Sequence, residues 1–196
     1  DNCILGNSTF DDNVAGDDGG AINWVGSYGT IYNVNFNNNR GISSGTSHSK
    51  GGSISLIGSH ITVDKSTFAD SSVTYNGGAL FITGDDVNIT NCDFVNCTSD
   101  VNVSPDGDDL PYGGAIYIIG NATLIDECTF EDCNATNGGV IYIEGNGATI
   151  DHSTFTGNYA KGDGGAIYVA GDNCILGNST FDDNVAGDDG GAINWV

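Results

Sequence analysis

From each Gly-Gly pair to the next phenylalanine the chain counts 17 residues, six times over. The pairs begin at Gly19, Gly51, Gly77, Gly113, Gly138, Gly164 and Gly190, and the phenylalanines stand at Phe10, Phe36, Phe68, Phe94, Phe130, Phe155 and Phe181. From phenylalanine to the next pair the distance is 8 or 9, except after Phe36 (15) and after Phe94 (19). All length variation is therefore confined to one junction. A stacked solenoid coil behaves this way: a slip within a strand would turn its side chains inside out, whereas a corner can bulge outward.

The apolar pattern agrees. Counting from the first glycine of each pair, the third and fifth positions are apolar, as in Ile22/Trp24, Ile54/Leu56, Leu80/Ile82, Ile116/Ile118 and Ile141/Ile143. This period of two marks a strand with one buried face. A second apolar column runs through Ile31, Val63, Ile89, Ile125, Ile150 and Leu176, and the phenylalanines close a third side. No stretch has the spacing and length of an amphipathic helix. The fold class expected is all-β: a right-handed parallel β-helix, a three-sheet solenoid with about 26 residues per coil. The handedness follows from the bias of parallel crossovers.

Residues 1–25 recur letter for letter as residues 172–196. Residues 1–196 thus read as one solenoid segment, with 1–171 a full tandem period and 172–196 the start of the next identical one. The expectation is a window from a longer array, uncapped at both ends, with exposed strand edges that invite pairing with sister repeats. Any export signal or anchor is expected outside it.

Four basic residues (Arg40, Lys50, Lys65, Lys161) stand against 26 acidic ones, for a net charge of −22. That balance argues against nucleic acid and against anionic membrane surfaces; acidity at this level mainly keeps a protein soluble and apart from its copies. No apolar run is long enough to span a bilayer, so no membrane insertion is expected in this segment.

Most coils read Ser-Thr-Phe-x-x-Asn around the phenylalanine, as in Ser153 to Asn158. In two neighbouring coils both flanking positions become cysteine together, Cys92 with Cys97 and Cys128 with Cys133. Paired replacement favours two short disulfides within coils; the alternative pairing links adjacent coils, Cys92–Cys128 and Cys97–Cys133, and spacing alone does not decide connectivity. Cys3 and Cys174 stand alone and are expected to be free, small buried residues. Disulfides would imply an oxidising, extracellular setting. Seven Asn-x-Ser/Thr sequons, at Asn7, Asn88, Asn96, Asn102, Asn121, Asn134 and Asn178, point the same way, with Asn96 and Asn102 beside the longest corner the best glycan candidates.

The asparagine closing Phe-x-x-Asn (Asn13, Asn39, Asn158, Asn184) is expected to form a stacked amide ladder between coils. Phe81, Tyr117, Tyr142 and Tyr168 occupy the outward position of four successive coils. They are either cross-strand neighbours that stabilise a sheet face or a possible partner-contact stripe for sugars or a sister fibre. Aspartate pairs such as Asp17/Asp18 and Asp188/Asp189 are expected to be solvated corners. Calcium, the only cofactor considered, needs six to eight converging oxygens, and an aliphatic residue here fills a place where the calcium β-roll pattern wants glycine. No catalytic residues are assigned. Carboxylate pairs are too common to discriminate, Asp64–Lys65 is the only adjacent acid–base pair beside the core, and His48, His60 and His152 share no metal-ligand spacing.

Gly-Gly-Ala-Ile (Gly19–Ile22, Gly113–Ile116, Gly164–Ile167) alternating with Phe-x-x-Asn resembles the repeat of chlamydial polymorphic outer-membrane protein passengers. It resembles still more the large adhesin-like β-helix proteins of methanogenic archaea, whose units look like Ser153 to Tyr168. Gly-Gly-Ser-Ile at Gly51, Gly-Gly-Val-Ile at Gly138 and the cysteines depart from the pattern without disturbing its core positions. The resemblance implies secretion, display on the cell surface and adhesion, with no catalytic residues carried over. Two non-enzymatic classes then compete. One is a stalk or adhesin whose inserted corners, 37–50 and 95–112, contact glycans or proteins of a host or neighbouring cell. The other is a structural fibre built from sister repeats packed end to end and laterally. A polysaccharide-active hydrolase or lyase is the alternative from a different class.

Overall fold

A computed structural model of the chain describes residues 2–43, 48–99 and 111–196. Regular structure among them is all strand, every pairing is parallel, and the coils stack in register as a β-helix. Among the described residues, no helix is long and apolar enough to cross a membrane.

Two seven-stranded sheets and one twelve-stranded sheet form the walls. The first carries the strands that follow Gly-Gly, from Ile22–Trp24 to Ile193–Trp195. The twelve-stranded sheet joins the isoleucine and phenylalanine columns as two arms. They meet at the eight-residue strand Thr30–Asn37, which also pairs with Ile4–Asp11. Beyond that pair of strands the arms are separate three-residue pieces, such as Leu124–Asp126 and Thr129–Glu131. Three sheets were expected, but the third is not the phenylalanine side. It consists of two-residue strands, Val14–Ala15 through Val185–Ala186, lying between the Asn position and the next Gly-Gly.

Inward positions make one continuous core: the aliphatic pairs of the Gly-Gly strands, the Ile31 column and the phenylalanines. Phe36, Phe68, Phe94, Phe130 and Phe155 are essentially fully buried, and each ring lies nearly flat on the next at 4.7–4.9 Å. A coil alone could not shield these rings; stacking removes both faces from water, so packing and strand pairing are won together.

The Gly-Gly pair is a backbone requirement. Gly113 lies at φ +65°, and a Cβ there would collide with the carbonyl of Ile116 in its own coil. A Cβ on Gly114 would collide with the carbonyl of Gly139 in the next coil. The other corners use left-handed residues, mostly Asn and Asp, which tolerate that region best: Asn91 (φ 52°), Asn96 (φ 52°) and Asp132 (φ 53°) are examples.

Candidate functional site

The left-handed corner residues decide where the cysteines point. Asn91 and Asn96 bracket strand Asp93–Val95, and after each of them the chain turns so that the next side chain enters the core. Cys92, Cys97, Cys128 and Cys133 are all buried, with their thiols against corner carbonyls, Cys92 3.2 Å from the oxygen of Thr90 and Cys97 3.4 Å from that of Phe68. All six cysteines are free thiols. The favoured within-coil bridges, Cys92–Cys97 and Cys128–Cys133, do not fit the register of the coils. A three-residue strand separates the two members of each pair, a span of about 10 Å at about 3.3 Å per residue, beyond the roughly 7 Å that a disulfide tolerates between Cα atoms. Each thiol instead faces its equivalent one coil away, Cys92 toward Cys128 and Cys97 toward Cys133.

That contact, together with burial, pushes the Cys92 thiol far above the ordinary range; burial first and then Cys133 do the same to Cys97. They stay protonated at neutral pH and are poor nucleophiles. Cys3 and Cys174 differ from expectation too, the first being exposed and the second half-buried.

The cysteines interrupt two polar columns inside the wall. Ser153 Oγ accepts from the amide of Cys128 at 3.2 Å, and Ser179 Oγ from that of Ser153 at 3.1 Å. On the other side of the phenylalanine, Asn158 Oδ1 accepts from the amide of Cys133 at 2.9 Å, while Asn158 Nδ2 donates to Asn184 Oδ1 at 2.8 Å. Asn13 and Asn39 repeat the arrangement, Asn13 Nδ2 to Asn39 Oδ1 at 2.9 Å. The expected amide ladder is present.

The aromatic row is not an open stripe. Phe81, Tyr117, Tyr142 and Tyr168 stack with ring centroids 5.6, 5.4 and 4.7 Å apart. Phe81, Tyr117 and Tyr142 are buried, however, and Tyr168 alone is half-buried. Tyr112, from the end of one inserted corner, covers Tyr142 at 4.4 Å, and Lys50, from the end of the other, places Nζ 5.0 Å from the centre of Phe81. The Tyr117 hydroxyl donates to Glu144. Burial, then Glu144, drives the Tyr117 phenol above its usual range; burial, then Tyr112 and Tyr168, does so for Tyr142. These rings form a second, smaller core, with Tyr112 and Lys50 packed over it.

One group of donors does converge. Strands Leu124–Asp126 and Thr149–Asp151 pair in register, so Asp126 stacks on Asp151. His152 Nδ1 lies 3.2 Å from Asp126 Oδ1 and 3.3 Å from Asp151 Oδ2. The sequence showed Asp151 beside His152, but Asp126 joins them only through stacking.

Residues 78–193, more than half the chain, match the family model described as the right handed beta helix region. The chain is a member of the right-handed β-helix family. Residues 7–23 of this β-helix match the Chlamydia polymorphic membrane protein repeat. No curated protein and no solved structure matches it.

The outer corners of this right-handed β-helix show where its acidic residues go. Asn37 Nδ2 donates to Asp11 at 2.7 Å, Asn91 Nδ2 to Asp64 at 2.9 Å and Asn96 Nδ2 to Asp70 at 2.6 Å, each across one coil step. Asp18 accepts from the amide of Lys50 at 3.0 Å; burial, with help from Asp17 and against Lys50, raises its carboxyl. Around Asp64 burial raises, but the hydrogen bonds of Asn91 and Thr90 and the charge of Lys65 outweigh it, and the carboxyl sits below its usual range. Lys65 is exposed, 3.6 Å from Asp64. Of the other histidines, His60 stacks on Tyr28 and approaches Asp86 at 3.4 Å, and His48 packs against Tyr75.

Among the sequons, Asn96, Asn121 and Asn178 are exposed corner residues, Asn7 is exposed within strand Ile4–Asp11, and Asn88 and Asn134 are half-buried within strands. Asn102 lies outside the described residues, as do Asp106, Asp108 and Asp109 of the same corner.

Proposed function

We propose that this right-handed β-helix is a segment of a non-enzymatic, adhesin-like surface protein whose tandem coils form the rod itself, a fibre or stalk exposed outside the cell. One observation carries the reading: the polar side chains of the corners are spent on the neighbouring coil. Asn37, Asn91, Asn96 and Asn178 all hydrogen-bond to an aspartate about 26 residues away, and the aromatic row packs against Tyr112 and Lys50. The polymorphic membrane protein repeat over residues 7–23 supports surface display, and the whole-chain resemblance to archaeal adhesin-like repeats supports an array of this kind. Partners are then sister repeats, with glycans or proteins of another cell surface reached by the corners at 37–50 and 95–112.

Electron microscopy of the full-length protein, on cells and after shearing, tests this. Continuous filaments with an axial repeat of roughly 29 Å, six coils at roughly 4.8 Å each, are the expected result. Discrete particles that release reducing or unsaturated ends from polysaccharides would overturn it in favour of an enzyme.

A further inference from the structure

We infer that Asp126, Asp151 and His152 form a divalent metal site of the zinc class, fastening two successive coils on their outer face. The donor atoms of all three residues lie within 4.8 Å of one another, and the two imidazole-to-carboxylate separations, 3.2 and 3.3 Å, match the roughly 3.3–3.6 Å between ligands of one tetrahedral ion with bonds of about 2.0–2.2 Å. This inference goes beyond the rod reading and does not depend on it.

The arrangement needs a cation. Asp126 and Asp151 are direct partners in adjacent parallel strands, and like charges stacked this way destabilise a sheet. Elsewhere the β-helix answers a corner carboxylate with an asparagine donor or, at Asp64, with Lys65. Asp151 has its asparagine donor too, Asn178, but among the described residues the only ion-pair partner of either carboxylate is His152, in a chain of net charge −22. With its proton on Nε2, the imidazole leaves two carboxylates and the Nδ1 lone pair pointing at one spot.

The group is also held in position. Asp151 Oδ1 accepts from Asn178 Nδ2 at 2.8 Å and from the amide of His152 at 3.1 Å, so Oδ2 is the atom left facing the imidazole. Such outer hydrogen bonds orient ligands in metal sites. His152 has φ 42°, a left-handed corner conformation shared by Asn91, Glu127 and Asn178 in the same column. In this one place the column supplies an imidazole above a stacked aspartate pair.

The donor set selects the metal. One imidazole nitrogen and two carboxylates suit zinc and its borderline neighbours, whereas calcium wants six to eight oxygens. His152 is exposed, so water can complete the coordination.

The test is calorimetric titration of the chelator-stripped 196-residue chain with zinc chloride, and with calcium chloride in parallel, together with melting curves. We expect one tight zinc equivalent, a raised melting temperature with zinc and a much smaller effect of calcium. His152→Asn, which installs the residue this column carries elsewhere, should weaken zinc binding at least about tenfold without altering the circular dichroism of the metal-free protein. Asp126→Asn should do the same and raise the melting temperature of the metal-free protein by relieving the stacked charges. Zinc affinity unchanged within twofold in both variants, or equal stabilisation by zinc and calcium, would show only screening of an acidic surface and would overturn the site.

Discussion

Replacing Asn158 with alanine probes whether the internal amide column is structural cement or mere filling. Asn158 is 1% exposed. Its Oδ1 accepts from the Cys133 amide at 2.9 Å; its Nδ2 donates to Asn184 Oδ1 at 2.8 Å and to the carbonyl of Phe130 at 3.3 Å. Alanine leaves the Cys133 N–H without an acceptor in a dry wall and strips a donor from the Phe130 carbonyl. Each buried group so abandoned costs about 1–3 kcal/mol, and the two together point to about 3 kcal/mol. For a chain of this length that is a fall in melting temperature of roughly 6–12 °C. The control is Asn37→Ala, which removes an equally short amide-to-carboxylate bond, Asn37 to Asp11 at 2.7 Å, in full contact with water; it should cost less than about 0.5 kcal/mol. Thermal melts of both variants, with hydrogen exchange at the Cys133 amide, give the answer. Equal costs at the two sites, or unchanged exchange at Cys133 in Asn158→Ala, would refute the argument that burial is what makes the ladder matter.

Three further outcomes follow from the same geometry. Gly114→Ala, whose Cβ would enter the Gly139 carbonyl, should abolish stable folding, while Gly147→Ala, left-handed (φ +67°) but with open space around it, should cost only about 1–2 kcal/mol; expression as soluble protein and thermal melts separate the two. Oxidation by a thiol-specific two-electron acceptor should join Cys92 to Cys128 and Cys97 to Cys133, since neighbouring parallel strands lie about 4.8 Å apart; a Cys92–Cys97 link in peptic fragments would contradict the described register. Burial raises the Asp18 carboxyl in the folded state, so folding favours its protonated form, and the penalty is absent below the unfolded carboxylate pKa of about 3.9 and complete once pH exceeds the raised folded value. Asp18→Asn should therefore stabilise the protein at pH 7 and not at pH 3, measured against the parent by denaturant titration at each pH.

Most of the architecture was legible because the phenylalanine and Gly-Gly positions answer to stacking constraints that recur in every coil. Phe94 must stack on Phe68 and Phe130, and Gly114 must admit a carbonyl, so neither can drift in spacing. The two-residue strands were invisible because each sends one small side chain inward, such as Ala135 or Ala160, and leaves no apolar period. The within-coil cysteine pairing was favoured over the between-coil one for a local reason. Period-two counting does not register the left-handed turns at Asn91 and Asn96, which place Cys92 and Cys97 at opposite ends of a strand and each beneath its own counterpart one coil away. The roof over Tyr117 and Tyr142 and the trio around His152 were hidden because their members come from different coils, and only the stack brings them together.

Because each coil is bonded only to those on either side, through strands that run side by side in register, the molecule has the mechanics of thread on a bobbin. A steady pull on one end of the chain should unspool it a turn at a time. Each turn of about 26 residues would release roughly 88 Å of slack at about 3.4 Å per residue, and the tension should climb and drop in a regular sawtooth. Turns carrying the longer corners would give wider teeth. A covalent or metal rivet between two turns would merge their teeth into one, so the force trace would report which coils are fastened and which are free to run.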